Sequence, residues 1–180
     1  MKTLVIHPED KTTYFLKAVY SKLKNYTLIT SGSKREVNRA IIKHDRIFML
    51  GHGTPHGLCS VGQFDDGYVI DHNTVEQLRN KKCVFIWCNA DKFVAKYNLK
   101  GLFSGMFVSE VGEAILVGLP PVTQEIVDES NNFFANILGE GMESGFYHAY
   151  HKVMNMYESL ARNNIVAKYN VERLYLILSK

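Results

Sequence analysis

The chain has 180 residues, 46% of them hydrophobic and 22% charged, with a formal net charge of +3. This balance excludes a disordered chain and allows one domain, 1–180, with a sizeable core. The Lys and Arg residues are dispersed, the densest run being Arg79-Asn80-Lys81-Lys82, so no nucleic-acid partner is expected.

In chain order, Lys2 to His7 reads as a first strand and Thr12 to Lys24 as a helix with Tyr14, Phe15, Ala18, Val19 and Leu23 on one face. Tyr26 to Thr30 reads as a second strand. Ser33-Lys34-Arg35-Glu36 is a capping box that opens a helix burying Val37, Ala40 and Ile41. A third strand, Arg46 to Leu50, ends just before His52. Leu58 to Ile70, with its Asp66-Gly67 turn, predicts a hairpin outside the main sheet. Thr74-Val75-Glu76-Gln77 predicts a second capping box, and Cys83 to Trp87 a fourth strand running into Cys88.

Further on, Asp91 to Leu102 reads as a surface loop, Gly105 to Val111 as a helix, and Ala114 to Leu119 as a fifth strand stopped by Pro120-Pro121. Two amphipathic helices follow, separated at Gly139, Gly141 and Gly145, and Leu174 to Leu178 makes a sixth strand. Strands alternating with helices predict an α/β fold with a mostly parallel sheet of about six strands and helices on both faces. The common order 2-1-3-4-5 makes strands three and four neighbours.

That order would bring an imidazole, His52, and a thiol, Cys88, to two strand tips ~5 Å apart. Such a pair suits acyl transfer. Cys88 is the candidate nucleophile, His52 the candidate general acid/base, and the N–H groups of Gly53 and Cys88 the candidate oxyanion hole. Taken singly, each residue has a plainer reading, as a buried small side chain or a loop histidine.

Other motifs are weaker. His52 and His56 flank Pro55 without a further ligand, so no metal and no cofactor is expected. Cys83 reads as core, and Cys59 carries no activation signal. Gly101-Leu102-Phe103-Ser104-Gly105 has the wrong spacing for a nucleophile elbow, and no phosphate-binding glycine motif occurs. Nothing near the N-terminus reads as a signal, no apolar run reaches the ~18 residues of a membrane span, and an odd cysteine count gives no disulfide framework. A cytoplasmic protein without membrane association is expected.

The phrases Phe48-Met49-Leu50-Gly51-His52-Gly53 and Val84-Phe85-Ile86-Trp87-Cys88-Asn89-Ala90, in that order, resemble the caspase-like superfamily of cysteine peptidases. CHAT domains look most similar, through Gly112-Glu113-Ala114-Ile115-Leu116-Val117-Gly118-Leu119-Pro120 and the Phe133-Phe134-Ala135-Asn136-Ile137-Leu138-Gly139 helix that follows. The resemblance spans about Lys2 to Val153 and implies a three-layer caspase-like fold. It also implies a His52/Cys88 dyad and cleavage of a peptide or protein substrate, with a regulatory partner, autocleavage or expression as the means of control.

By the same resemblance, substrate would be held near Ile86, Asp91, Val122, Thr123 and Glu125. Ile86 stands where members preferring basic residues have an acid, and Asp91 where many have glycine. Asp91, Glu110 or Glu125 could still recognise a basic side chain, and the substrate preference stays open. These departures motivate a second reading, a non-catalytic caspase-like module that binds a peptide or protein. A third is a flavodoxin-like ligand site at His7-Pro8-Glu9-Asp10 and Thr30-Ser31-Gly32-Ser33.

Overall fold

A computed structural model describes residues 1–178; Ser179 and Lys180, the end of the expected domain, lie outside the described residues. The first half comprises β1 (Thr3–Ile6), α1 (Lys17–Tyr20), β2 (Thr27–Ile29), α2 (Lys34–Lys43), β3 (Arg46–Leu50), β4 (Gly53–Thr54), β5 (Gly57–Cys59), β6 (Tyr68–Ile70) and α3 (Val75–Leu78). The second comprises β7 (Lys82–Ile86), α4 (Ala90–Tyr97), β8 (Gly101–Ser104), α5 (Val111–Leu116), α6 (Gln124–Met142), α7 (Phe146–Ala161), α8 (Ile165–Val171) and β9 (Leu174–Ile177).

Apolar residues on both faces of the short strands force cover on both sides of the sheet. The main sheet has the order β2-β1-β3-β7-β8-β9, with β9 antiparallel to β8 and the other pairs parallel. This is a three-layer α/β architecture. Val5, Phe48, Leu50, Val84, Ile86 and Leu102 pack against α1, α6, α7 and α8. Leu4, Ile6, Ile47, Met49, Cys83 and Phe85 pack against α2, α3, α4 and the small β4-β5-β6 sheet. Strand residues therefore alternate between two separate apolar clusters, as period-two geometry requires.

Several elements differ from the sequence expectation. The first helix is short: a 3₁₀ turn, Tyr14–Leu16, leads into α1. The expected surface loop from Asp91 holds α4, whose Phe93 and Val94 are buried, and also the start of β8. The fifth strand is Gly101–Ser104, not Ala114–Leu119; the latter stretch holds the last turn of α5, to Leu116, and the turn after it. A short apolar run does not distinguish strand from helix by periodicity. Here Glu113 decides it, because its Oε2 accepts hydrogen bonds from the Ser109 and Glu110 N–H groups at the start of a helical turn. The expected helix over Gly105 to Val111 is irregular chain, and α8 was not expected at all.

Two glycines expected to separate helices are instead inside α6. A Cβ on Gly139 would lie 2.1 Å from the Ala18 carbonyl oxygen, and one on Gly141 would lie 2.5 Å from the Ala149 Cα. Both are needed for close helix approach; the break falls at Gly145, where φ is +105°. The second capping box is one turn earlier than expected, on Asp71 and Thr74.

Candidate active site

The β3–β7 register sets the site. Leu50 pairs with Ile86, and the Gly51 N–H donates to the Ile86 carbonyl at 3.1 Å. Phe48 and Leu50 face the same apolar cluster as Val84 and Ile86, and His52 and Cys88 come next in each alternating series. His52 and Cys88 both line one small cavity of about 20 Å³, together with Thr13, Phe15, Ile86 and Phe107. The two residues therefore stand at neighbouring strand tips, and among the described residues no hydrogen bond joins their side chains.

His52 is oriented by the loop after β1. Its Nε2 lies 2.7 Å from Thr12 Oγ1 and 3.2 Å from Asp10 Oδ2. Thr12 Oγ1 donates its own proton to Asp10 Oδ1 at 2.8 Å, so it can only accept from His52. The neutral ring consequently carries its proton on Nε2 and leaves Nδ1 as a free base. For Asp10, partial burial opposes ionisation. Hydrogen bonds from Thr12 and the neighbouring His52 outweigh it, holding the carboxyl below its ordinary range.

Behind this loop His7 is fully buried, with Nδ1 3.1 Å from Tyr20 Oη and Nε2 3.4 Å from Thr13 Oγ1. Desolvation pulls its pKa down from 6.5 to about 4, so it is neutral at pH 7. A histidine depressed on folding stabilises the protein above its unfolded pKa, and that contribution disappears as pH falls from 6.5 towards 4. The full difference is about 3 kcal/mol. Urea midpoints of the wild type are expected to fall across that interval more steeply than those of His7→Gln. Parallel curves for the two proteins would contradict this.

Cys88 sits at a sharp bend into α4, followed by Asn89 in the left-handed region at φ +66°. Its Sγ donates to the Phe107 carbonyl at 3.2 Å and lies 3.4 Å from Glu113 Oε1. Burial, reinforced by the Glu113 charge, pushes the thiol up to about 12. The thiol is protonated and held between two acceptors. Cys83 is core, as expected, with burial pushing it up to about 12, and Cys59 is raised by desolvation.

The candidate oxyanion donors can be placed. Gly53 opposes Leu58, while the Cys59 N–H donates to the His52 carbonyl at 2.9 Å. Gly53 therefore occupies a non-hydrogen-bonded ladder position, its N–H directed away from β5. Among the described residues the Cys88 N–H has no backbone acceptor. Glycine is also demanded sterically at 53, because a Cβ there would lie 2.1 Å from the Trp87 ring. Trp87 is fixed in turn by Nε1 donating to the Thr54 carbonyl at 3.1 Å. Gly53→Ala is expected to cost ~2–3 kcal/mol through overpacking, measured by denaturant unfolding. A change below measurement error would show that the Trp87 contact is slack.

The remaining expected substrate residues are dispersed. Ile86 is buried but borders the notch. Asp91 lies in the first turn of α4 and lines a separate groove with Phe103 and Tyr175; its Oδ1 is buried without a partner. Val122, Thr123 and Glu125 lie at the start of α6 and do not border the notch; Thr123 is the N-cap. A wider cleft of about 590 Å³ adjoins the notch through Phe15 and Ser109, and its other walls include Glu110, Gln124, Asp128 and Asn131. Thr12 and Glu113 were not singled out as site residues, and Asp10 was placed only in the loop of the flavodoxin-like alternative, not beside His52. Only the Asp10-Lys11-Thr12-Thr13 turn, placed after the strand beside β3, carried a local signal for two of them.

Among the described residues no group of three or more His, Cys, Asp and Glu side chains could hold a metal ion, and no helix is long and apolar enough to cross a membrane. No family model and no curated protein matches the chain. A solved structure titled NADPH-quinone reductase, from P. pentosaceus, is 17% identical, with a TM-score of 0.39 over 75% of this chain and 98% of that one. A likeness at that level carries no argument about fold or function.

Proposed function

We propose that the chain is a caspase-like cysteine endopeptidase with a His52/Cys88 dyad, in a resting arrangement. The observation that supports this reading is the Leu50–Ile86 register, with His52 and Cys88 both among the residues lining one notch beside an open cleft. In the reaction, His52 Nδ1 takes the Cys88 proton and Sγ attacks a peptide carbonyl. The Gly53 and Cys88 N–H groups receive the developing oxyanion. His52 then returns the proton to the leaving amine as the C–N bond breaks, and water hydrolyses the thioester. Asp10 and Thr12 hold the ring through its Nε2. A pooled peptide library is expected to be cleaved by the wild type and untouched by Cys88→Ala; equal cleavage by both would eliminate the mechanism.

Burial, and after it Glu113, hold the thiol at rest. A carboxylate 3.4 Å from Sγ opposes thiolate formation, so turnover requires the Ser109–Glu113 segment to withdraw. The same contact favours a second reading, a non-catalytic module that uses the cleft to bind a peptide. A thiol-directed probe separates the two. With peptide present, an enzyme labels Cys88 faster than Cys59, whereas a binding module leaves Cys88 inert.

A further inference from the structure

The geometry points to an anion site at the opposite end of the sheet, built to take the di- or triphosphate group of a small molecule. Arg46 and Lys82 begin β3 and β7, whereas His52 and Cys88 follow the ends of the same strands, so this site is independent of the peptidase reading. A cavity of about 360 Å³ lies there, lined by Arg46, Lys81, Lys82 and Lys100 and by no acidic residue among those described. Four basic residues border one space.

Arg46 carries the argument. It is only 6% exposed, yet among the described residues no carboxylate lies within ion-pairing distance of it. Its Nε donates to Thr3 Oγ1 at 2.9 Å and its Nη1 to the Met142 carbonyl at 3.0 Å. These bonds fix the plane of the guanidinium and leave Nη2 without an acceptor among the described residues. Burial lowers its pKa although the charge of Glu143 opposes this. A buried cation without a counter-charge is costly, and an anion entering from the cavity would relieve that cost.

The second component comes from α7, whose N-terminus opens on the same cavity through Ser144, Gly145 and Phe146. This 16-residue helix has glycine at its N-cap, no side-chain cap and no acidic residue in its first turn. Its first N–H groups therefore have no intrahelical acceptor, and the dipole adds positive potential. Tyr147, Ile177 and Leu178 add apolar lining to the same cavity. A phosphate chain would meet Arg46, Lys82, Lys100 and the helix end, while a ring attached to it would lie against that lining. Lys81 contributes charge but is already tied to the Ile42 and His44 carbonyls.

Calorimetric titration with pyrophosphate and with metal-free ATP, at low and at physiological salt, tests this. Saturable binding that weakens with salt is expected. It should fall at least ~10-fold in the Lys82→Glu/Lys100→Glu double variant, whose altered side chains are exposed and whose ligand-free melting temperature should match the wild type. Equal affinities for the two ligands would mean that the phosphate chain alone is recognised, and tighter ATP binding would mean that the apolar lining holds the ring. Either result supports the site. No saturable heat at millimolar ligand, or undiminished binding by the double variant, would overturn it. Tighter binding of a single-stranded oligonucleotide than of either ligand would also overturn it.

Discussion

Alanine at Cys88 is expected to lower peptide-bond cleavage by at least ~10³-fold, and alanine at His52 by a similar factor. The two losses should not add, because in the proposed reaction nucleophile and base act in one step. Neither change should unfold the protein. Cys88 follows β7 rather than pairing within it, and the His52 ring contacts the Asp10–Thr12 loop, so shifts in melting temperature of a few degrees are expected. Asp10→Asn separates orientation from chemistry. It keeps the shape and removes the charge opposite His52 Nε2, so kcat should fall while KM is little changed. Comparable turnover by Cys88→Ala, measured by sequencing the new peptide ends, would end the peptidase reading.

The second large effect concerns Glu113. With the thiol pushed up to about 12, only ~10⁻⁵ of it is ionised at pH 7. Desolvation is the larger cause and the Glu113 charge the next, so Glu113→Gln removes only part of the barrier. Alkylation of Cys88 by iodoacetamide is expected to quicken by ~10-fold in that variant, each pKa unit recovered being worth tenfold in thiolate. Glutamine can still accept from the Ser109 and Glu110 N–H groups, so α5 should persist, which circular dichroism would check. Cys59 provides the internal control, since Glu113 is not among the causes of its shift. An unchanged Cys88 rate beside an unchanged Cys59 rate would show that Glu113 does not keep the site at rest.

What the sequence made legible follows from how locally each feature is encoded. The runs ending at His52 and Cys88 are continuous, branched and bounded by polar residues, so both the strands and their adjacency were readable before any coordinates. The β8 strand was not. Gly101-Leu102-Phe103-Ser104 is only four residues long and follows a polar helix, whereas the longer apolar stretch from Ala114 looked more like a strand. That misreading had a cost at the site, because Glu113 becomes visible as a neighbour of Cys88 only once α5 is a helix capped by its side chain. The tie of Asp10 and Thr12 to His52 was hidden for another reason. They reach His52 across 42 and 40 positions of chain, through a turn whose own sequence reports only its local hydrogen bonds. Gly53 stood out only as a candidate oxyanion donor; the steric demand for glycine there comes from the Trp87 ring and is not legible in the local sequence.

All of the chemistry proposed rests on the Cys88 sulfur becoming an acyl acceptor when a peptide occupies the cleft. Mass spectrometry after incubation with peptidyl acyloxymethyl ketones reads that event directly. The account predicts one covalent adduct, mapped to Cys88, formed by the wild type, accelerated by Glu113→Gln and lost in His52→Ala. Adducts spread equally over Cys59 and Cys88, or formed at Cys88 at the same rate without His52, would contradict it.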